Sequence, residues 1–592
     1  MNLARVSSIA AASVFVIAGI TLTTPLALAQ GQEVLSVAPK DAKIFVGTTR
    51  LSDLDKNWGA LMTAIEMDAL MPAPTDLFGE MGIDASALDQ TRSIGVAVMS
   101  LDRDAMGPPW LMLLPVTDYG KWLSSVGSEA SAAGVAEIEM PMGQAFVRSV
   151  GQYAVMSPNK ALVEAYAPQE NAAGHFKQRI GAVGGGVIER SQVFAVVDFD
   201  ALAPMKQQII EGLTAAMSDQ MAMAGAMGMG LPNAEQVVKM NEALVSMLLD
   251  ECSGVVAGLR FGERGVALDF AIQTREGSEI SALLPGTEKA RNLLTGMEDA
   301  PFMLAMSLDY GGVKIGPLMD AISKRLGLEG AAEAPAAPQA GMMPMADLWR
   351  HTDGVAMAIY PSPTGVFASA LSRSIFMMSG DSQKIMSMFR DAMSKTGEAE
   401  GMGGVQFSAE YTPGEKEIGG ITADAYAVRV SAPPEMMAQV KQMESMLYGP
   451  AGLQGYVLPV KGGVLQTTSR NTELIERTLA SMRGEAPGLG ANRVLASVDS
   501  MLPPNSSMRF YLGLGAISNT VGPLLAMGVP GLDLAELKAL PPIGLGASIS
   551  GGGIVGSMVI PAPVLKTIAE MAQQFGGGMM GGEGDEEEPP LF

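Results

Sequence analysis

The chain has 592 residues, of which 48% are hydrophobic, and 39 lysines and arginines against 62 aspartates and glutamates give it a formal net charge of −23. The hydrophobic content excludes general disorder, and an acidic balance without a basic patch argues against nucleic-acid binding. This length favours two domains or one extended sheet built from repeats.

Residues 1–29 are typical of a secretory signal peptide. Arg5 supplies a positive charge, an apolar run extends from Ile9 to Ile20, and Ala27-Leu28-Ala29 forms an A-x-A cleavage site. An uncleaved anchor at Ile9–Ala29 is the alternative. Cys252 is the single cysteine, so no internal disulfide can form. We therefore predict export to the periplasm or cell envelope, or secretion, with no transmembrane segment in the mature chain.

The remaining chain alternates between strand patterns and helix patterns. A strand followed by a helix is called unit A, and two kinds of strand pair followed by a helix are called units B and C. Ser157 is the predicted N-cap of the helix in the first unit C. The order is A, B, C, A, B in the N-terminal half, at 43–65, 94–126, 145–166, from 193, and 255–284. The same order recurs at 302–326, 355–393, 454–482, from 508 and from 545.

This repetition predicts an α+β fold of two related halves, each a curved antiparallel sheet with helices packed on one face. The halves are predicted at 30–297 and 298–577, with a disordered acidic tail at 578–592. Alternation around Leu268 and Phe270 predicts a buried apolar face, with Asp269 and Gln273 on a wet face. The glycine run Gly181–Gly186 is predicted to lead into a strand, which leaves no phosphate-binding helix N-terminus.

The two predicted halves differ by insertions. The N-terminal half has a longer Met/Gly-rich segment at Met217–Leu231. The C-terminal half has a flexible linker at 330–345, two added strands in 405–431, and a helix at Pro434–Met446. Insertions that differ between repeated copies are candidate places for specialised function.

Catalytic chemistry has little support in the sequence. His175 and His351 are the only histidines, neither lies in an HExxH helix, and there is no G-x-S-x-G elbow. Asp198 and Asp200 fall on one face of a predicted strand, but such pairs are common at solvated strand ends. We predict that the protein is not an enzyme and has no cofactor.

Methionine is the compositional anomaly, with 45 residues in the chain. They act as substitutes for leucine, form an adaptable apolar surface for partners or lipids, or bind Cu(I) through soft thioether ligands. The candidate contact surface comprises Met217, Met221, Met223, Met227 and Met229.

Two strand pairs with their helices, QAFVRSVGQYAVMSPNKALVEAY and QGYVLPVKGGVLQTTSRNTELIERTL, resemble a family of secreted bacterial proteins classed as domains of unknown function. The resemblance covers most of Ala42–Phe575. It implies a fold built from strand-strand-helix repeats and an envelope location, and it implies no reaction.

The function favoured by the sequence is that of an exported, non-enzymatic binding or scaffold protein of the bacterial cell envelope. Its partner would be an unknown envelope protein. The alternative is a periplasmic carrier that holds an apolar ligand such as a lipid between sheet and helices. Binding of Cu(I) by methionines is a lesser alternative.

Overall fold

The computed structural model describes residues 32–580 apart from 69–70, 81, 102–107, 129–133, 142, 213, 216–233, 285–289, 312, 314, 326–350, 363–369, 396–398, 401–404, 520–539 and 551. Helices and one large antiparallel sheet make up the described chain, which confirms the predicted α+β class.

The described strands are β1 (Ile44–Arg50), β2 (Ser93–Val98), β3 (Trp110–Pro115), β4 (Val135–Met140), β5 (Gly143–Val150), β6 (Tyr153–Ser157), β7 (Val193–Asp198), β8 (Cys252–Gly262), β9 (Gly265–Thr274), β10 (Leu304–Asp309), β11 (Thr352–Ile359), β12 (Ser374–Gly380), β13 (Ala399–Glu400), β14 (Gln406–Ile418), β15 (Ile421–Ser431), β16 (Gln454–Val460), β17 (Gly463–Thr467), β18 (Met508–Leu512), β19 (Ile543–Ser550) and β20 (Gly553–Pro561).

The helices with defined bounds are α1 (Gln32–Leu35), α2 (Leu51–Ala64), α3 (Leu77–Glu80), α4 (Tyr119–Ser125), α5 (Lys160–Ala165), α6 (Ala172–Arg190), α7 (Phe199–Leu202), α8 (Ala234–Glu251), α9 (Glu279–Leu283), α10 (Ile315–Arg325), α11 (Ser382–Lys395), α12 (Pro434–Tyr448), α13 (Thr472–Met482), α14 (Arg493–Asp499) and α15 (Ala562–Met580).

All strand pairings are antiparallel and join the strands into one continuous sheet. From one end the order is β4-β5-β6-β3-β2-β1-β7-β8-β9. The sheet continues through β20-β19-β18-β10-β11-β12-β17-β16-β15-β14-β13. The sheet therefore contains two runs of nine strands, β4-β5-β6-β3-β2-β1-β7-β8-β9 and β15-β16-β17-β12-β11-β10-β18-β19-β20. The strands of the two runs follow the same succession, and the runs meet where β9 pairs with β20.

The register at this meeting point is symmetric. Asp269 of β9 lies opposite Ser557 of β20, and the pairs Gly265↔Pro561 and Gln273↔Gly553 lie equally far to either side. The β8–β9 and β19–β20 hairpins close through Gly262↔Gly265 and Ser550↔Gly553. The pattern of strands on one side of the Asp269–Ser557 pair therefore matches the pattern on the other.

Helices pack on both faces of the sheet, so the prediction that they cover one face is wrong. In the N-terminal run, α2 and α4 share one core with alternate strand residues such as Leu114 and Met156. The opposite core joins α6 to Leu113 and Val155. Both faces of these strands are apolar, and two layers of helices therefore bury them.

Two local predictions need correction. The run Gly181–Gly186 lies inside α6, where Gly181 has a φ of 61° and kinks the helix. At Gly184 a Cβ would lie 2.9 Å from a methyl of Val256, so glycine allows the close approach of α6 to β8. The N-cap of α5 is Asn159, whose side chain accepts from the N–H groups of Ala161 and Leu162, rather than Ser157.

Other differences concern element boundaries. The prediction missed β4, which occupies the place in the N-terminal run that β15 holds in the C-terminal run, so only one of the two predicted added strands, β14, lacks a counterpart. It also missed β12, where five of the seven residues are buried, on both faces, and no alternation is visible. The last helix extends to Met580, three residues into the predicted tail. The signal segment and the linker at 330–345 lie outside the described residues.

Candidate functional site

The two faces of β9 and β20 differ in chemistry. The covered face carries Ala267, Asp269 and Ala271 of β9 and Val555, Ser557 and Val559 of β20, all buried. The open face carries Val266, Leu268, Phe270 and Ile272 of β9 and Ile554, Met558 and Ile560 of β20. Asp269 is 0% exposed, whereas Leu268 is 42% exposed. The predicted alternation is present, but the predicted assignment of the two faces is wrong: the face with Asp269 is buried, and the apolar face with Leu268 is partly exposed to solvent.

The open face continues across the neighbouring strands as a row of cross-strand partners. All of them are apolar, and each is half-buried or exposed. The row is Leu259, Leu268, Met558, Leu545, Phe510, Met306, Met357 and Phe376. Eight strands at about 4.8 Å spacing give it a length of roughly 34 Å. On β10, too, Leu304 and Met306 are half-buried, whereas Ala305 and Ser307 are buried.

A network of charges occupies the covered face at the centre of the sheet. The Asp269 carboxylate accepts hydrogen bonds from Nε of Arg190 at 3.1 Å and from Nε and Nη2 of Arg260 at 2.6 and 3.2 Å. Arg260 Nη2 also donates to the carbonyl of Met501 at 2.6 Å and lies 3.4 Å from the Ser557 hydroxyl. We call these five residues the junction cluster, because they connect the two runs of strands.

Sequence reasoning did not identify the junction cluster. Arg190 lies 79 positions from Asp269, and Met501 lies 241 positions from Arg260. One signal was present: an aspartate between Leu268 and Phe270 in an apolar strand must be wet or paired, because a lone buried carboxylate is too costly. The sequence does not say which partner it has.

The acids Asp198 and Asp200 meet in a second network at the end of β7. Asp198 N-caps α7, and its Oδ2 lies 3.2 Å from Nε2 of His175 and 3.6 Å from Nε of Arg179. Asp200 belongs to α7 rather than to the strand, and it pairs with Arg179 and Arg275. The described contacts of His175 include no serine or cysteine, and the ion pairs of the network join α6, β7 and α7.

Cys252 is buried at the start of β8. Burial raises the pKa of its thiol to about 11, and the neighbouring Glu251 adds to this effect. A thiol that stays protonated is a poor nucleophile and a poor metal ligand. Within the described residues no group of three or more His, Cys, Asp or Glu side chains is placed to hold a metal ion.

Two further buried carboxylates are held by arginines. Burial opposes ionisation of Asp309, but hydrogen bonds from the side chain and backbone N–H of Arg291 outweigh it, so the pKa of Asp309 lies below its ordinary value. Asp424 behaves in the same way, with burial outweighed by hydrogen bonds from Tyr411, Gly414 and Arg390 that lower its pKa. Both carboxylates therefore have hydrogen-bond partners inside the fold, and we interpret them as structural.

The predicted contact surface at Met217, Met221, Met223, Met227 and Met229 lies outside the described residues. Its role as a contact surface stays a prediction, as does Cu(I) binding. Over the part of the chain with described coordinates, every helix is too short or too polar to cross a membrane.

No protein-family model and no curated protein matches the chain. Two crystal structures of a protein called TP0453 are weakly similar. Crystal form III has a TM-score of 0.21 at 9% identity, covering 46% of this chain and 90% of that one. Crystal form I has a TM-score of 0.19 at 11% identity, covering 48% and 99%. These TM-scores lie below the range that indicates a shared fold, and we base no inference on them.

Proposed function

We propose that this chain is an exported, non-enzymatic binding or scaffold protein of the bacterial cell envelope, and that the open face of the central strands is its contact surface. The signal-like segment at 1–29 supports export. The half-exposed apolar row through Leu268 and Met558 supports binding.

The observation that carries this proposal is the reversed burial of β9. Leu268 is 42% exposed in a strand with neighbours on both sides, while the adjacent Asp269 is 0% exposed. Covering apolar surface stabilises by about 25 cal/mol per Å², and a continuous apolar patch on a soluble protein commonly marks an interaction site. Methionine, leucine and phenylalanine in the row have flexible or large side chains that adapt to a partner.

The two runs of strands fit a duplication, with halves at 30–297 and 298–577. The shared strand order and the symmetric register about Asp269 and Ser557 support it. Equivalent helices also pack alike across the meeting point of the two runs, since α9 of the first run contacts α10 of the second and α15 of the second run contacts α2 of the first. In such a protein the open face lies on the symmetry axis, and both halves contribute to it.

A non-enzymatic role is supported by the state of the polar clusters. The described carboxylates of Asp198, Asp269 and Asp424 are paired with arginines inside the fold. A catalytic acid or base needs a proton that it can exchange with substrate, and these groups are committed to structure.

Leu268→Glu tests the proposal. A charge at this exposed position should leave folding intact but prevent an apolar contact. The matched control is Val494→Glu on α14, which is 48% exposed and lies on a helix that packs against the opposite side of the sheet. Affinity-tagged chains are crosslinked in intact cells, and crosslinked envelope proteins are identified.

We expect one specific partner with wild type and with Val494→Glu, and its loss with Leu268→Glu. A partner that crosslinks equally to all three chains would exclude the open face. Circular dichroism confirms that each variant is folded.

A second candidate function is a carrier of apolar ligands. The apolar row is the observation that favours it, because a linear acyl chain fits a continuous strip between α2 and α15 on one side and α9 and α10 on the other. Native mass spectrometry of the purified chain should then show a co-purified lipid that Leu268→Glu removes. Absence of lipid in wild type would count against the carrier.

The Met-rich segment has its own test. Deletion of Met217–Leu231 should abolish partner crosslinking if these methionines form the contact surface. Retention of every crosslinked partner would exclude the segment and leave the open face as the site.

A further inference from the structure

The open face forms the floor of a groove at the central strands. On one side of this floor, α2 and α15 pack over Phe261 and Val266. On the other side, α9 and α10 pack over Ile549 and Ile554. Ile554 pairs with Ile272, and the stretch of β9 from Val266 to Ile272 is about 20 Å long. The two pairs of helices therefore stand about 20 Å apart across the floor.

The free width of this groove is that of one helix. Each flanking helix with its side chains is about 10 Å across, which leaves about 10 Å of the span open. Leu268 and Met558 lie in this opening, where Leu268 is 42% exposed and Met558 is half-buried. A rod-shaped partner about 10 Å wide can therefore lie along the apolar row.

The floor of the groove offers no hydrogen bonds to the backbone of a partner. Each of β8, β9, β20 and β19 is paired with a strand on both sides, and the side chains of the row are apolar. A polypeptide buried there must satisfy its own N–H and C=O groups, because each unpaired group is costly. An α-helix does so internally, whereas a single extended segment does not.

Buried area and charge favour such a helix over a second copy of this chain. A helix that follows the row would be about 34 Å long, with about 23 residues and roughly 1,000 Å² of lateral surface. Covering about two-thirds of this surface would bury roughly 1,400 Å² in total, which is the size of a standard specific interface. A second copy would meet only the strip between the flanking helices, and its net charge of −23 would repel the first copy.

We propose that the partner enters this groove as an amphipathic α-helix, with its apolar stripe against Leu268, Met558 and Leu545 and its polar side towards solvent. This inference rests on the proposed function, because it names the kind of segment that the open face holds. A single acyl chain is thinner than a helix and would leave part of the groove unfilled, which loses dispersion contacts. The recognised feature is therefore an apolar repeat with helical spacing.

Two crosslinking positions measure the shape of the bound segment. Leu268 or Met306 is replaced by the photocrosslinker benzoylphenylalanine in the full chain, intact cells are irradiated, and the crosslinked partner residues are mapped by mass spectrometry. The two positions lie in the same row on β9 and β10, about 19 Å apart. A helix rises about 1.5 Å per residue, so we expect the two crosslinked partner residues to be about 13 positions apart.

The control places the same photocrosslinker at Val494, which is 48% exposed on α14, and it should not capture this segment. Leu268→Glu should remove the crosslink formed from position 306. A separation of about 6 positions would indicate an extended segment and overturn the helix, as would crosslinks to lipid alone, while both leave the open face as a binding surface. No crosslink at either position, or crosslinks within this chain alone, would overturn the proposed function as well.

Discussion

The covered face and the open face of β9 and β20 have opposite chemistry and opposite exposure. Asp269 and Ser557 are buried beneath α6 on the covered face, while Leu268 and Met558 lie across from them on the open face, within reach of solvent. Burial in this sheet therefore depends on where the helices pack and on whether the polar groups find partners. Side-chain hydrophobicity alone does not determine it.

The largest effect is expected at the buried carboxylate of the covered face. Asp269→Asn leaves Arg190 and Arg260 without their counter-charge, and breaking a buried ion pair from one side costs about 3–5 kcal/mol. Urea denaturation measures the free energy of unfolding. Glu410→Gln is the control, because Glu410 pairs with Arg429 at an exposed site and should cost about 1 kcal/mol or less. Equal losses for the two variants would contradict the role of the covered face.

A glycine lies opposite a phenylalanine on each face, which gives a matched pair. A Cβ on Gly47 would lie 2.4 Å from Cζ of the buried Phe194, and one on Gly556 would lie 2.2 Å from Cζ of Phe270 on the open face. Gly47→Ala should cost about 1–3 kcal/mol, because the Phe194 ring cannot move. Gly556→Ala should cost less, since Phe270 can turn towards solvent.

Denaturation midpoints of these two variants are compared with that of Gly186→Ala, where nothing lies within 4 Å of the added methyl. Gly186 lies within α6, so this control should be neutral or stabilising by up to about 1 kcal/mol. A larger loss for Gly556→Ala than for Gly47→Ala would show that the open face is the more tightly packed one.

Much of the fold can be predicted from local sequence patterns, but which face of the central strands is exposed to solvent cannot. The hairpin β16–β17 and the helix α13 lie within the predicted 454–482 because alternation and helical spacing are clear there. The alternation pattern also places Leu268 and Asp269 correctly on opposite faces of β9. Which of the two is buried depends on α6 and on Arg190, 79 residues away, and no local pattern encodes that contact.

The junction cluster was unpredictable for the same reason. Its members come from α6, β8, β9, β20 and the segment after α14, and only the folded sheet brings them together. The glycine run in α6 misled the prediction because glycines are poor helix formers. There Gly184 is required for close contact with β8, so packing outweighs propensity.

A pH titration tests a second carboxylate on the covered face, Asp309. Its pKa is lowered because hydrogen bonds from Arg291 outweigh the effect of burial. The stability it contributes is therefore present above the ordinary aspartate pKa and is lost as the pH falls through the lower value of the folded state. Wild type should be more stable than Asp309→Asn near pH 6, and the difference should shrink below about pH 4. A difference that stays constant from pH 6 to pH 3 would rule out this role of the charge.

The smallest effect is expected on the open face itself, from Leu268→Ala. Leu268 is already 42% exposed, so its truncation should cost about 1 kcal/mol or less in the purified chain. The matched variant is Leu113→Ala in the core beneath the covered face, where the side chain is 0% exposed and the expected cost is about 2–5 kcal/mol. Urea denaturation of both variants measures how much unfolding free energy each one loses, and the two losses are then compared.

Similar costs for Leu268→Ala and Leu113→Ala would mean that the chain buries its open face in solution. No apolar surface would then be left for a partner, and the contact surface would have to be sought elsewhere. A small cost for Leu268→Ala combined with loss of the crosslinked partner in Leu268→Glu would separate binding from folding at one residue. That combination is the outcome expected of a binding face and not of a core.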